Sequence, residues 1–124
     1  MFIIDNSSRT PIYEQIKTQI LELVSSGALK PGDKLPSLRS LSASMNLNIN
    51  TIKKVFAELE ADNVIVSVLG SGSYIADTAI RNPQILKKAE TNLTEALRSA
   101  KSAGITKDEA IEIINQIYSR KESN

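Results

Sequence analysis

Apolar residues recur every three or four positions near the start of the chain, a spacing that places them on one face of a helix. The positions are Ile12, Ile16, Ile20, Leu23 and Val24. Thr10 and Pro11 precede them as a hydroxyl cap and a proline suited to a first turn, and Gly27 follows Ser26 as a C-terminal cap. The pattern predicts a first helix between these signals.

Two further helices are predicted after residues 30–36, which are rich in proline and glycine. Ser37 can cap the second helix, and residues 46–48 interrupt it. Its apolar face carries Leu38, Leu41 and Met45. The third helix starts at about Ile49, and its apolar residues fall within a narrow arc: Ile52, Val55, Phe56 and Leu59.

A β-hairpin is predicted after the third helix. Val-Ile-Val-Ser-Val-Leu (64–69) and Ser-Tyr-Ile-Ala (73–76) are typical of strands, and Gly70-Ser71-Gly72 lies between them. Three helices followed by a hairpin indicate a winged helix-turn-helix domain, which we assign to residues 1–76. The expected fold class is mainly α with a small β-hairpin.

The rest of the chain is predicted to be a linker, residues 77–83, and a two-helix dimerisation region, residues 84–124. Gly104 separates the two helices, and Thr106 with Glu109 matches a capping box. About forty residues cannot enclose an independent core, so their apolar stripes predict a second copy of the chain or another protein. The residues assigned to dimerisation are Leu86, Leu93, Leu97, Ala100, Ile111, Ile114, Ile117 and Tyr118.

The composition excludes several kinds of chemistry. The 124 residues include no cysteine and no histidine, which removes disulfides, thiolate chemistry, the usual zinc sites and imidazole catalysis. We therefore expect no cofactor, no metal site and no enzymatic activity. No apolar run approaches the roughly 20 residues that span a bilayer, and the first residues lack a signal-peptide pattern. A cytoplasmic protein is expected.

Charge indicates a polyanionic partner only locally, because the net charge of the whole chain is +1. No acid occurs between Asp33 and Glu58. The basic residues in this window are Lys34, Arg39, Lys53 and Lys54. Cations without neighbouring acids, on a helix-turn-helix pattern, indicate contact with a phosphate backbone.

The third helix is the candidate for reading base edges. Asn50 and Lys54 lie nearly opposite its apolar arc, with Thr51 and Lys53 on the flanks. Asparagine can pair with adenine, threonine can contact a thymine methyl group or a phosphate, and lysine can reach guanine or a phosphate. The alternative is a solvated face of a structural three-helix core.

Arg39 and the hairpin tip each have two interpretations. Arg39, in the first turn of the second helix, can bind a phosphate or a base edge, or extend into water. The tip, Gly70 to Gly72, can approach a minor groove, or form a plain turn, since no Lys or Arg occurs between Lys54 and Arg81. Ser37 is assigned to the same DNA surface in addition to its capping role.

Several motifs together resemble the GntR family of bacterial transcription regulators. They are Pro-Ile-Tyr-Glu-Gln-Ile (11–16), Leu-Lys-Pro-Gly-Asp-Lys-Leu-Pro-Ser (29–37), Arg39, Glu-Leu-Glu (58–60) and Gly-Ser-Gly-Ser-Tyr-Ile (70–75). The short tail, with Ser-Ala-Gly-Ile-Thr-Lys-Asp-Glu (102–109), is similar to the YtrA subfamily, in which a small dimerisation region replaces a large effector domain. Asn-Ile-Asn-Thr-Ile (48–52) is also similar to that subfamily.

The resemblance implies which residues face operator DNA: Arg39, Asn48, Asn50, Thr51 and Lys53, with the tip Gly70, Ser71 and Gly72 at the adjacent minor groove. Lys54 is assigned to a phosphate. Three positions depart from the family pattern. Ile49 stands where many members have arginine, and Ser71 stands where the wing often carries a basic residue. The strand before the tip, residues 66–69, lacks the basic residues usual in the family.

Together these features favour a homodimeric repressor that binds a two-fold symmetric DNA operator through two winged helices. The rival is a winged helix used for protein–protein assembly without specific DNA binding, which the near-neutral charge and the uncharged wing support. The tail is too short to enclose a sizeable ligand within one subunit, so a small-molecule effector would need a pocket at the dimer interface or beside the linker, and no residues are assigned to one.

Overall fold

The computed structural model describes residues 2–119. In this range the elements are α1 (Ile12–Ser25), α2 (Leu38–Met45), α3 (Ile49–Ala61), β1 (Ile65–Val68), β2 (Gly72–Ile75), a 3-10 turn (Ala79–Arg81), α4 (Pro83–Ser102) and α5 (Lys107–Ser119). Three helices followed by an antiparallel hairpin form a winged helix-turn-helix, and the predicted fold class is confirmed.

The first helix is capped differently from the prediction. Pro11 occupies the N-cap position and makes no side-chain hydrogen bond there, so the assignment of Thr10 as the cap is wrong. The Thr10 carbonyl instead accepts a hydrogen bond from the side-chain amide of Gln15 at 2.9 Å. At the other end Gly27 has a φ of +81°, which confirms the glycine cap.

Two glutamines of α1 hold the extended segment before it. The Ile3 N–H donates to Oε1 of Gln19 at 2.9 Å, and the Ile3 carbonyl accepts from Nε2 of the same side chain at 2.5 Å. Asp5 pairs with Gln15 in the same way, at 2.8 and 3.0 Å. A side-chain amide carries both a donor and an acceptor, so it replaces the partner strand that this segment lacks.

One hydrophobic core joins α1, α2, α3, the hairpin and the first turn of α4. The apolar arc predicted for α3 is buried in it, with Ile52, Val55 and Leu59 completely inaccessible. The core residues are Ile16, Ile20, Leu21, Val24, Leu35, Leu41, Ile52, Val55, Phe56, Leu59, Val64, Ile65, Ile75, Ala79 and Ile85. Packing of α3 against α1 and the hairpin fixes which face of α3 is left outside.

The wing contains a strand segment that the sequence pattern did not indicate. Residues 32–35, between α1 and α2, lie along the free edge of β2. The N–H of Leu35 donates to the carbonyl of Ser73, and the N–H of Ile75 donates to the carbonyl of Asp33, both at 2.8 Å. Lys34 is thereby paired with Tyr74 in an antiparallel bridge.

Residues 77–83, predicted to be a linker, are packed against the domain. Ala79 is fully buried, and the Thr78 hydroxyl donates to the carbonyl of Asn63 at 3.0 Å. Asn82 donates from Nδ2 to the carbonyl of Asp62 at 3.1 Å, while its Oδ1 accepts from the backbone of Gln84 at 2.9 Å. Asn82 therefore caps α4 at its start.

The chain divides into two compact units after Ala89. In the second unit Gly104 separates α4 from α5 with a φ of +101°. The N–H of Thr106 donates to Oε1 of Glu109 at 3.0 Å, and the Glu109 N–H donates to Oγ1 of Thr106 at 3.2 Å. The predicted capping box is confirmed, and these bonds, above all the one from the Thr106 N–H, lower the pKa of Glu109.

Candidate nucleic-acid interface

The helix-turn-helix consists of α2, a tight turn and α3. Asn46 ends α2 in the left-handed conformation, with a φ of 52°, which asparagine tolerates better than most residues. Asn48 then caps α3, its Oδ1 accepting from the N–H of Asn50 at 2.8 Å. The turn between the helices is therefore only residues 46–48, and it sets the direction in which α3 leaves the core.

The face of α3 opposite its buried arc is polar and carries the predicted contact residues. Asn50, Lys53 and Lys54 are exposed, and Thr51 is half-buried. Ile49 is also half-buried. The arrangement places an amide, a hydroxyl and two ammonium groups in the first two turns of α3, on the part of a recognition helix that can reach base edges.

Lys54 is held against α1. Its Nζ lies 3.8 Å from the centre of the Tyr13 ring, a cation–π geometry. The Tyr13 hydroxyl donates to Oε1 of Glu14 at 3.2 Å. Lys54 therefore has a defined position near the start of α1, whereas Lys53 extends from the helix without a salt-bridge partner among residues 2–119.

Two of the predicted DNA contacts are also helix caps. The Oγ of Ser37 accepts from the N–H of Ser40 at 3.0 Å, so the predicted capping of α2 is confirmed. Asn48 performs the same task for α3. The capping role of Asn48 was not predicted, although an asparagine immediately before the expected helix start was a usable signal. Because Oδ1 of Asn48 accepts the capping hydrogen bond, Nδ2 of the same amide is a donor that the cap does not use.

Arg39 lies in the first turn of α2 and is exposed. In the described part of the chain it forms no salt bridge. The ion pairs there are elsewhere: Lys17 lies 3.2 Å from Asp62 and 3.8 Å from Glu58, and Lys88 lies 3.9 Å from Glu22. The acids thus neutralise other lysines, while Arg39 stays available to an anion.

The wing tip is a tight turn that presents exposed residues. The N–H of Ser71 donates to the carbonyl of Val68 at 3.0 Å, and Gly70 has a φ of +78° that this turn requires. Leu69, next to it, is fully exposed. Gly70, Ser71 and Gly72 are all exposed, and the Ser71 hydroxyl forms a hydrogen bond with the hydroxyl of Tyr74.

Lys34, which the local sequence places only in the acid-free basic window, lies beside this tip. Its Cε would lie 3.0 Å from a Cβ built on Gly72, and its Nζ lies 6.0 Å from the centre of the Tyr74 ring. The wing therefore has a cation beside it, although the hairpin sequence has none. The contact depends on the strand segment 32–35, which joins residues distant in sequence.

The apolar residues assigned to dimerisation lie largely on the surface of α4 and α5. Leu93, Leu97, Ile111, Ile114 and Ile117 are each at least 38% exposed. Leu86 is 50% and Tyr118 is 85% exposed, whereas Ala100 is half-buried. The neighbouring Ile85, not singled out in the sequence, is instead buried in the core.

Other classes of site find no support in the described range. Within residues 2–119 no group of three or more Asp or Glu side chains is placed to hold a metal ion. No helix described there has the length and apolarity needed to cross a bilayer. Asp5, whose pKa is lowered chiefly by the Ser7 hydroxyl, and Glu109 both lie outside the helix-turn-helix.

The fold and the surface of α3 define a DNA-binding transcription regulator of the winged helix-turn-helix class. The sequence pattern described as "Bacterial regulatory proteins, gntR family" matches residues 12–75. The chain belongs to the GntR family. The family assignment favours DNA regulation over a purely protein-binding winged helix, and over an enzyme, because the similar proteins are named as regulators.

Similar proteins extend the match beyond the DNA-binding domain. The HTH-type transcriptional repressor YtrA of Bacillus subtilis strain 168 is 39% identical over 121 residues, which covers 94% of this chain and 92% of that protein. The structure of YtrA from Sulfolobus acidocaldarius, a GntR-family transcription factor, is 34% identical with a TM-score of 0.56, covering 98% of this chain and 100% of that one.

A third similar structure contains DNA. AraR(DBD) in complex with operator ORE1 is 25% identical with a TM-score of 0.52, and the match covers 61% of this chain and 93% of that chain. The match to YtrA is therefore nearly full-length, and the match to AraR is confined to little more than half of this chain.

Proposed function

We propose that this protein is a homodimeric repressor that binds a two-fold symmetric operator, with α3 of each subunit in a major groove. The observation that carries the proposal is the exposed polar surface at the start of α3. Asn50 and Lys54 lie there opposite the buried arc, Lys53 lies on its flank, and no acid occurs in the helix before Glu58. The structure of the similar AraR domain is of a complex with an operator, which supports binding to operator DNA.

Different side chains contact the base edges and the DNA backbone. Asn50 and Thr51 read base edges, and Lys53 reaches guanine or a phosphate. Arg39 and Lys54 bind the backbone, with Tyr13 holding Lys54 in place. Ser37 and Asn48 add polar contacts beside the helix ends that they cap, and the tip Gly70 to Gly72 approaches the minor groove.

The apolar surface of α4 and α5 supports the proposed dimer. Burying one leucine or isoleucine side chain contributes about 1.5–3 kcal/mol, and the described surface leaves several such side chains exposed, including Leu93, Leu97 and Ile114. A second copy offers the same stripes in a self-complementary interface. A two-fold dimer requires half-sites about one helical turn apart or a multiple of it, and a dimer bound at a promoter blocks polymerase.

The DNA contacts are tested by replacing Arg39 and Lys53 together with alanine. The probe is duplex DNA selected by the wild-type protein from fragments of its source genome, titrated by fluorescence anisotropy at several salt concentrations. The wild-type affinity should fall with salt at a slope of about −0.9 per phosphate, for about three or four phosphates per subunit. The double variant should bind far more weakly and with a flatter slope.

The matched control is Arg81→Ala with Lys87→Ala, which also removes one arginine and one lysine from exposed positions. This control should bind like the wild type. Equal losses in the two double variants would refute the proposed interface, since only overall charge would then matter.

The dimer is tested by Leu93→Asp with Leu97→Asp in analytical ultracentrifugation, with Asn92→Asp as the control on the same helix. The double variant should sediment as a monomer and lose operator binding, while the control stays dimeric. A double variant that remains dimeric would refute the assigned interface.

In vitro transcription from the selected promoter should fall as protein is added, and a rise would overturn the repressor role.

A further inference from the structure

The hairpin has no cation of its own with which to bind DNA. No lysine or arginine occurs between Lys54 and Arg81, a range that includes both strands and the tip. The tip residues Gly70, Ser71 and Gly72 offer backbone groups and one hydroxyl, and that hydroxyl is already paired with Tyr74. A wing that binds a phosphate backbone therefore needs its positive charge from another part of the chain.

The strand segment 32–35 supplies that charge. The three backbone hydrogen bonds between residues 32–35 and β2 are all 2.8 Å long, and Leu35 is 3% exposed. Side chains alternate along a strand, so anchoring Leu35 in the core turns Lys34 to the outer face. Its bridge partner Tyr74 lies on that same face.

The side chain of Lys34 then extends along the hairpin towards its tip. Its Cε and Nζ would lie 3.0 Å and 3.8 Å from a Cβ placed on Gly72. A side chain at position 72 would displace it, so the glycine provides the space that Lys34 occupies. Its Nζ lies 6.0 Å from the centre of the Tyr74 ring, at the outer limit of a cation–π contact, and Tyr74 is itself fixed by Ser71.

The ammonium group keeps its charge available in this position. Lys34 is exposed, and no salt bridge involves it in the part of the chain that the structure describes. A weak contact with an aromatic ring orients the side chain without neutralising it. The position contrasts with that of Lys17, which is paired with Glu58 and Asp62.

We propose that Lys34, held over Gly72 and beside Tyr74, is the phosphate-binding cation of the wing. It would contact the DNA backbone next to the minor groove approached by the tip, at a distance in sequence from the contacts of α3. The inference rests on the proposed function, because it requires the wing to face DNA.

The quantitative expectation comes from counterion release. Loss of one phosphate contact reduces the slope of log affinity against log salt by about 0.9. If the variant and the wild type bind equally at 1 M salt, this difference makes the variant about eightfold weaker near 0.1 M salt. Lys34→Ala should show both changes for each subunit bound. Lys34→Arg keeps the charge and should retain the slope.

The control is Lys30→Ala, because Lys30 belongs to the same loop and is exposed but lies outside the segment that pairs with β2. It should leave the slope unchanged. The probe is the duplex selected by the wild-type protein, titrated across the salt range. Circular dichroism melting of each variant checks folding, and Lys34→Gln, which keeps most of the side-chain stem, replaces Lys34→Ala if that variant melts early.

Each outcome decides the question. A lowered slope for Lys34→Ala, with Lys34→Arg and Lys30→Ala unchanged, establishes the contact. An unchanged slope for Lys34→Ala overturns the inference, and so does an equal decrease for Lys30→Ala. If the Arg39 and Lys53 double variant still loses binding in those cases, the proposed function stands without Lys34. If that double variant binds normally, the proposed function itself fails.

Discussion

Replacement of Asn48 by aspartate should separate the stability of the domain from its affinity for DNA. Asn48 caps α3 through Oδ1, which accepts from the Asn50 N–H at 2.8 Å, and the carbonyl of Asn48 accepts from the N–H of Thr51 at 3.0 Å. Aspartate keeps the capping oxygen. It exchanges the Nδ2 donor for an anionic oxygen on the surface proposed to face DNA.

The two effects have opposite signs. A negative charge at the N-terminus of a helix stabilises it by about 0.3–1 kcal/mol at low ionic strength. For a unit of this size, 1 kcal/mol changes the melting temperature by roughly 4–8 °C, so Asn48→Asp should melt a few degrees higher. Loss of a hydrogen bond to a charged phosphate costs about 1.5 kcal/mol or more, so each subunit should bind at least roughly tenfold more weakly.

The assays are thermal melting by circular dichroism and anisotropy titration with the selected duplex. Gln84→Glu makes the same charge change in the first turn of α4, and it should leave DNA affinity unchanged. Asn48→Ala should lose the cap and destabilise the domain by about 1 kcal/mol. Wild-type affinity in Asn48→Asp would show that Asn48 does not face DNA, and a lower melting temperature would contradict its capping role.

Further predictions concern the core and the response to pH. Ile52→Ala should reduce the free energy of unfolding by about 2–5 kcal/mol in urea titrations, because Ile52 is fully buried. Asn50→Ala, two residues earlier on the exposed face, should change it by less than about 0.5 kcal/mol while weakening DNA binding. Because the chain has no histidine or cysteine, affinity at fixed salt should be constant between about pH 5.5 and 8, and a step in that range would contradict this. The folded pKa of Glu109 lies below its ordinary value of 4.5, so its stabilising effect is complete above that value and is lost in acid melts as pH falls through the lowered pKa.

The helices could be predicted because their signals are local. The arc of Ile52, Val55 and Leu59 follows from helical spacing alone, and its burial determines which side chains of α3 are exposed. Ser37 and the Thr106 capping box were predictable for the same reason, since the partners lie three residues apart.

The strand segment beside the wing could not be predicted in this way. Lys34 and Tyr74 are forty positions apart, and the segment around Lys34 contains prolines and a glycine that indicate a turn. The pairing depends on Leu35 entering a core that several other elements complete. Local patterns also could not show that residues 77–83 pack against the domain, because the burial of Ala79 depends on core residues distant in sequence.

The pairing of Gln15 and Gln19 with the segment before α1 also bears on solubility. Phe-Ile-Ile (2–4) is a short apolar run with the composition of an aggregation-prone strand. An extended segment with unpaired N–H and carbonyl groups can recruit the same segment of another molecule. The two side-chain amides occupy the groups of Ile3 and Asp5 on one edge. These hydrogen bonds to α1 make the segment less available for edge-to-edge association with another molecule.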